Sequence, residues 1–482
     1  MSAERRERVE HGLLAALQVS GRTPERHSVA DRMARYCVPG VAIAVVEDCD
    51  IAWVSGHGVR GPSGARVDGD TLFQAASISK AVAAVAVLAL VEHGDLDLDT
   101  DINGSLRRWQ LPVSPHTASV PVTLRHLLSH TAGTTVPGFP GYAAHAAVPD
   151  VVGVLSGTGG ANTPAVESFA VPGTVGQYSG GGSTIVQLLV EDVTGRPFGD
   201  VMHDLALRPF GMVHSAYEQP LAPHRLGAAA LAHDAGGAAI EGGFHAYPEL
   251  QAAGLWTTAT DLARWIVGVQ RIVLGQRGGP ISPETARLMV TPVGVGPFGL
   301  GPELAGEEAL RRFGHGGANQ GYKSQVDGML DGSSGAVVLT NGEGGTTLVG
   351  EVRRAVAAEY GWGDLGPPPI DVVELSDHEM RRLVGRYHGP FDRPLRIDMA
   401  DGELFSPAPY GRRRMLPVGP TTFIDEETGV TLEARLDGDR VGGLVVLVDG
   451  SELMAFEPVD PDMPNPDVSN PELPNPERKD PA

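Results

Sequence analysis

Lysine is almost missing from this chain. Only Lys80, Lys323 and Lys479 occur in 482 residues, and every other basic side chain is arginine. Nucleotide bias in the source genome accounts for such a skew, yet it leaves each surviving lysine worth explaining. Lys479 falls in a polar tail and Lys323 in a strand-like stretch, where a solvated surface charge is the plain reading. Cysteine is equally scarce. Cys37 and Cys49 are the only two, which excludes a disulfide scaffold. Neither has motif partners nearby, so both read as structural. Positive charge is also short, with a formal net charge of −22. No nucleic-acid partner is expected, because a phosphate backbone calls for a basic face. Long apolar runs are lacking too. Residues 81–91 fall well short of a bilayer span. The first 21 residues mix Glu4, Glu7 and Glu10 with Arg5, Arg6 and Arg8 around a short apolar stretch, unlike an export signal. A cytoplasmic enzyme with no membrane association is the expectation.

Hydrophobic residues make up 42% of the sequence, enough for a sizeable core, while 64 Gly and 38 Pro imply much turn and loop. The length suggests two or three domains. Residues 28–36 read as a helix. Two apolar runs, 40–46 and 51–59, flank Glu47-Asp48-Cys49-Asp50 in a hairpin pattern. From 77 to 93 apolar residues lie on every side, the mark of a buried helix. Helical segments, among them 183–194 and 260–274, alternate with Gly/Pro-rich loops from 101 to about 290. Strand signals return at 312–316, 321–330 and 336–340. An amphipathic helix follows, with Leu348, Val349, Val352, Val356 and Tyr360 at helical spacing. Strands at both ends with helices between them predict one sheet built from both ends around a helical insertion, an α/β (α+β) arrangement. Gly366-Pro367-Pro368-Pro369 then breaks the pattern. Beyond it the period becomes two, and Asp401-Gly402, Asp437-Gly438 and Asp449-Gly450 each follow a strand-like run, a hairpin signal. The expected domains are 1–365, a linker at 366–370, a small all-β barrel-like module at 371–457 and a disordered Pro-rich tail at 458–482.

The sharpest local signal is Ser77-Ile78-Ser79-Lys80 at the start of the buried helix. Residues three apart share a helix face, so Ser77 and Lys80 meet at one end of an otherwise apolar helix. A serine hydroxyl is a poor nucleophile until a partner takes its proton. Burial makes a lysine amine such a partner by disfavouring its charged form.

This four-residue motif resembles the one shared by serine β-lactamases and penicillin-binding proteins. Two further elements fit that superfamily. Tyr178-Ser179-Gly180 stands where its class C enzymes and esterase relatives carry Tyr-x-Asn, and His315-Gly316-Gly317 stands where they carry Lys-Thr-Gly or His-x-Gly on a strand. Val38-Pro39-Gly40, Leu127-Leu128-Ser129-His130-Thr131-Ala132-Gly133 and Gly211-Met212 are similar flanks, so the resemblance covers about residues 25–360. It implies a β-lactamase/transpeptidase-like fold, an antiparallel sheet flanked by helices, with no cofactor. It implies that Ser77 is the nucleophile, Lys80 the base and Tyr178 a proton-transfer partner. The N–H groups of Ser77 and Ala318 would form the oxyanion site. Gly180, Gly316 and Gly317 would contact substrate, and His315 would shape the field at its polar end. Gly180 departs from the family's asparagine, whose side chain normally bonds the catalytic lysine and the substrate amide. The C-terminal module resembles the lipocalin-like barrels appended to some members, where it would cap the cleft, receive part of a substrate, or serve packing alone.

Other patterns carry less. His126 and His130 have zinc-like spacing, but Leu127 stands where a metalloprotease needs glutamate, so no metal site is expected. Gly294-Val295-Gly296-Pro297-Phe298-Gly299 opens no helix and reads as a loop. No Gly-x-Ser-x-Gly elbow is present. Trp256, Tyr247 and Glu249 either line the cleft or pack. The expected function is a hydrolase of carboxylic esters or small amides, taking a small-molecule or peptide-like acyl substrate through an acyl-serine. The alternatives are a transacylase or peptide cyclase of specialised metabolism, a D-amino-acid-specific peptidase or β-lactamase, and a non-catalytic binding module.

Overall fold

Valine- and alanine-rich segments from opposite ends of the first 360 residues pair directly. The computed structural model describes residues 2–390, 393–438, 440–448 and 451–459. Six strands make its main sheet: β1 (Gly40–Glu47), β2 (Asp50–Gly58), β3 (Glu303–Ala305), β4 (Arg312–Asn319), β5 (Tyr322–Met329) and β6 (Ser334–Thr340). They lie in the order β2-β1-β6-β5-β4-β3, every neighbour antiparallel. The joint between the two ends is β1 on β6, with Ile43 opposite Val338 and Ala44 opposite Val337. The β1–β2 hairpin turns through Asp48 and Cys49 at φ 51° and 57°, the left-handed pair that a two-residue hairpin needs.

The helices that bear on the sheet and the site are α1 (Ser2–Glu10), α2 (Ile78–His93), α3 (Leu124–Leu128), α4 (Gly180–Thr194), α5 (Leu250–Ala253), α6 (Ala259–Val273) and α7 (Gly345–Tyr360), and further ones such as Val29–Arg35 lie around them. Alternation along β6 sorts two of them. Gly335 faces Ile266 of α6, while Thr340 faces Gly345 of α7, so these helices cover opposite faces of the sheet. Helix α2 lies in the central core, buried continuously from Ile78 to Leu90, and Gly94 ends it in the left-handed conformation at φ 81°.

Several boundaries differ from the sequence reading for identifiable reasons. Helix α4 begins three residues earlier than its apolar pattern, because Ser179 caps it through the Gly182 N–H and its first turn is Gly180-Gly181-Gly182. Glycine is a poor helix former, so propensity hid that turn. Helix α1 went unread, since charged side chains dominate it; Arg5 and Arg8 pair with Glu359 on α7. Helix α3 ends at Leu128, and His130 lies beyond it at φ 57°, so His126 and His130 do not share a helix face.

The chain divides into two compact units, one holding 1–18 and 22–368, the other 19–21 and 369–482. The second unit is a closed antiparallel barrel of eight strands: β7 (Gly385–Gly389), β8 (Arg393–Ala400), β9 (Glu403–Ala408), β10 (Gly411–Pro417), β11 (Thr422–Asp425), β12 (Thr431–Asp437), β13 (Arg440–Val448) and β14 (Ser451–Pro458). Pairing of Tyr387 with Pro458 closes it. Asp401 and Gly402, at φ 52° and 77°, make the expected tight turn. Met380, Leu383, Tyr387, Ile397, Leu404, Met415, Phe423, Leu432, Leu444 and Phe456 fill the interior, as side chains fill other eight-stranded barrels. Of the expected tail, residues 460–482 lie outside the described residues, together with Asp449-Gly450 and Lys479.

Candidate active site

Ser77 precedes the first turn of α2, and the residue before it, Ala76, is held at φ 50°, a conformation that costs a non-glycine residue energy and needs support. Support comes from three sides. Ser79 Oγ donates to the Ala76 carbonyl at 2.5 Å, while the Leu255 N–H donates to that same hydroxyl at 3.0 Å. Ser324 on β5 donates to the Ala75 carbonyl at 3.1 Å. A Cβ at Gly317 would lie 2.2 Å from that carbonyl, so β4 meets the Ser77 turn at a distance only glycine permits. Among the described residues the Ser77 N–H has no backbone acceptor.

Lys80 Nζ lies 3.0 Å from Ser77 Oγ and donates to the Ala252 carbonyl of α5 at 2.7 Å. Lys80 is buried, and this desolvation brings its amine down to about 7. Among the described residues nothing ionised is paired with it to oppose the shift, so near neutral pH a lone pair is available beside the hydroxyl. The Ala252 carbonyl supplies a fixed acceptor that the sequence concealed, since a backbone oxygen leaves no motif.

Tyr178 sits directly before the α4 cap, its ring centre 4.9 Å from Lys80 Nζ. Burial raises its phenol well above the ordinary value, and the Ser77 hydroxyl opposes that shift only in part. The phenol therefore keeps its proton. Its oxygen is buried, and the Ser77 hydroxyl is the polar group that approaches it. His130 holds it in place: the His130 carbonyl accepts from the Gln177 N–H at 2.9 Å and its Nδ1 from the Ser179 N–H at 3.2 Å. The two ring centres lie 4.3 Å apart, tilted at 39°. Phe298 closes the group, 4.6 Å from His130 and 6.0 Å from His315. Neither His130 nor Phe298 was anticipated as a site residue. Membership of His130 in the Ser129-His130-Thr131 segment was the available signal, and Phe298 sat in a glycine pattern that named nothing.

His315 on β4 donates from Nδ1 to the Gly316 carbonyl at 2.6 Å, which leaves Nε2 as a buried acceptor with no partner among the described residues. Burial first, then the nearby Lys80 charge, lower this imidazole to about 3. It is neutral at any working pH. Gly317 faces the Ser77 turn and Gly316 the opposite side, against Gln325. Strand β3 stops opposite Gly314, so beyond that point β4 pairs only with β5 and Ala318 stands exposed at an open edge.

Gly180 is where the chain departs most from expectation. Its N–H donates to the Pro137 carbonyl at 3.2 Å, and a Cβ there would lie 2.8 Å from Phe139 Cε2. An aromatic edge occupies the space a side chain would need. Trp256 and Tyr247 are buried, Trp256 packing edge-on against Phe244 and Tyr322. Glu249 is fully buried with both oxygens unpartnered among the described residues, and burial lifts it to about 7. No group of three or more potential metal ligands occurs among the described residues.

A serine, a deprotonatable amine, a protonated phenol and an open strand edge are the parts of an acyl-transferring serine enzyme. The family model described as Beta-lactamase matches residues 26–360, and the chain belongs to that family of serine hydrolases. Penicillin-binding protein 4 of Amycolatopsis lactamdurans is 27% identical over 373 residues, 70% of this chain and 92% of that protein. Esterase EstB of Burkholderia gladioli is 35% identical over 156 residues, 30% of this chain and 38% of the esterase. Among solved structures, the octameric penicillin-binding protein homologue from Pyrococcus abyssi covers 89% of this chain and 98% of its own at 19% identity and a TM-score of 0.59, a likeness of fold.

Proposed function

We propose that the chain hydrolyses carboxylic esters or small amides through an acyl-serine at Ser77. The observation that carries this reading is the buried Lys80 amine 3.0 Å from the Ser77 hydroxyl, with its basicity brought to about 7. A general base works best when its proton affinity lies near the working pH.

Lys80 takes the Ser77 proton as Oγ attacks the substrate carbonyl. The oxyanion rests on the N–H groups of Ser77 and Ala318, a contribution worth several kcal/mol in comparable sites. The carbon–heteroatom bond then breaks, and the leaving group takes the Tyr178 proton, which the Lys80 ammonium restores. Water next gives a proton to the neutral amine and attacks the acyl carbon. The acid departs and Ser77 regains its hydrogen. The raised Tyr178 phenol suits it to the donor role. The esterase and penicillin-binding relatives support acyl transfer as the chemistry.

Intact mass spectrometry tests the proposal with activated esters, D- and L-amino-acid amides and β-lactams. An acyl adduct is expected on the native protein and none on Ser77→Ala. A folded native protein that takes no label from a fluorophosphonate would mean a binding module instead. Product transfer to added amines in place of water would mark a transacylase.

A further inference from the structure

Around Ser77 the protein gathers polar groups with little fixed positive charge. Lys80 is the amine that must shed its proton to act, so it cannot also serve as a permanent anion receptor. His130 is held neutral by burial and by its Nδ1 acting as acceptor. His315 donates its one proton to the Gly316 carbonyl and turns a lone pair, not a proton, toward whatever fills the space at Nε2. Lys323, the next lysine, lies on β5, where Glu343 holds it at 2.7 Å and the Asn319 carbonyl at 3.1 Å. It neighbours Gln325 rather than Ser324, on the face away from the Ser77 turn. The near edge carries the opposite sign: Glu303, on the strand beside β4, adds to the upward push on the Tyr178 phenol.

Beside Tyr178, an aromatic edge fills the side-chain space of Gly180. A side chain at position 180 would run into Phe139, so no amide or hydroxyl projects from there. Ser179 offers none either. Its Oγ donates to the Thr135 carbonyl at 2.8 Å and accepts from the Gly182 N–H at 2.8 Å. Phe298 packs edge-on against the His130 ring, with Tyr178 beside both.

Building on the acyl-serine reading, we propose that this site selects uncharged carboxylic esters, with Phe139 and the accepting His315 as its specificity determinants. A carboxylate beside the scissile bond would be stripped of water against an imidazole lone pair, with no cation to pair it. A secondary amide would bring its N–H to a wall without polar side chains at Phe139 and would leave it unbonded, while its carbonyl, like an ester's, goes to the Ser77 and Ala318 N–H groups. An ester has no N–H to strand. Its apolar portion gains by lying against Phe139 and Phe298.

The test uses the full-length protein with three substrates sharing a butyryl group: phenyl butyrate, 3-carboxyphenyl butyrate and butyranilide. Native protein is expected to favour phenyl butyrate over its carboxylated analogue in kcat/KM by about a hundredfold. His315→Lys is expected to shrink that ratio at least ~10-fold. The double variant Phe139→Ala, Gly180→Asn is expected to raise anilide turnover relative to phenyl butyrate by a similar factor. Equal turnover of the neutral and carboxylated esters by native protein, with Ser77 acylated, would overturn the specificity claim and leave the acyl-serine intact. Failure of every ester to label Ser77 would overturn the acyl-serine reading instead. Should the double variant not fold, Phe139→Gln alone is expected to raise anilide turnover relative to phenyl butyrate, and an unchanged ratio would overturn the role of Phe139.

Discussion

A lysine amine buried without a counter-ion gives up its proton more readily than one in water, and at Lys80 that ordinary penalty fits the amine to the base role proposed for it. The folded value of about 7 lies below the ordinary 10.5. The fraction of reactive enzyme should therefore rise with pH and level off above about 8. Initial rates on a neutral ester from pH 5 to 9 should show one ascending limb with its midpoint near 7, and a flat profile would remove Lys80 as base. His315, held near 3, should contribute no second limb in that window. Tyr178→Phe deletes the only proton the phenol can offer. It should lower kcat on poor leaving groups by about a hundredfold or more, with less effect on nitrophenyl esters, whose leaving groups need no proton. Equal losses on both would assign Tyr178 to packing.

Elements place these side chains where local sequence does not. The Ser77 turn is squeezed between β4 and the short strand at Leu255–Thr257, and Gly317 is the contact point. Gly317→Ala puts a methyl 2.2 Å from the Ala75 carbonyl. Backbone cannot yield there cheaply, so the turn should shift and kcat/KM should fall on the order of a hundredfold. A thermal melt within a few degrees of native would show that the fold survives. Unchanged kcat/KM would mean the β4 contact does not position Ser77. Helix α5 matters in the same way. It is four residues long, too short to be conspicuous, yet its Ala252 carbonyl anchors Lys80.

Across the whole molecule, Glu249 imposes a cost that pH should reveal. Its folded value of about 7 exceeds the ordinary 4.5 because burial disfavours the anion. The native state thus binds the proton more tightly than the unfolded chain. The favourable contribution is complete below about 4.5 and is lost as pH climbs through about 7. Glu249→Gln should flatten that part of the stability profile and exceed native stability at pH 8 by ~3 kcal/mol, measured by denaturant unfolding. A variant less stable than native at pH 8 would show that Glu249 is charged and paired. No helix among the described residues is long and apolar enough to cross a membrane.

Much of this was legible in one dimension. The period-two runs, the Asp-Gly turns and the all-apolar helix after Ser77 each reflect local rules, and the spacing from Ser77 to Lys80 is one helical turn whatever surrounds it. Those features imply a two-ended sheet, a second β module and a serine–lysine pair. What only the tertiary structure decided are the contacts made by backbone or by residues far apart: the Ala252 carbonyl on Lys80, His130 and Phe298 around Tyr178, and Phe139 in the side-chain space of Gly180. The reason is physical. A helix or hairpin is set by neighbours within a few residues, whereas proton affinity and substrate fit depend on what burial brings together, and burial belongs to the folded chain.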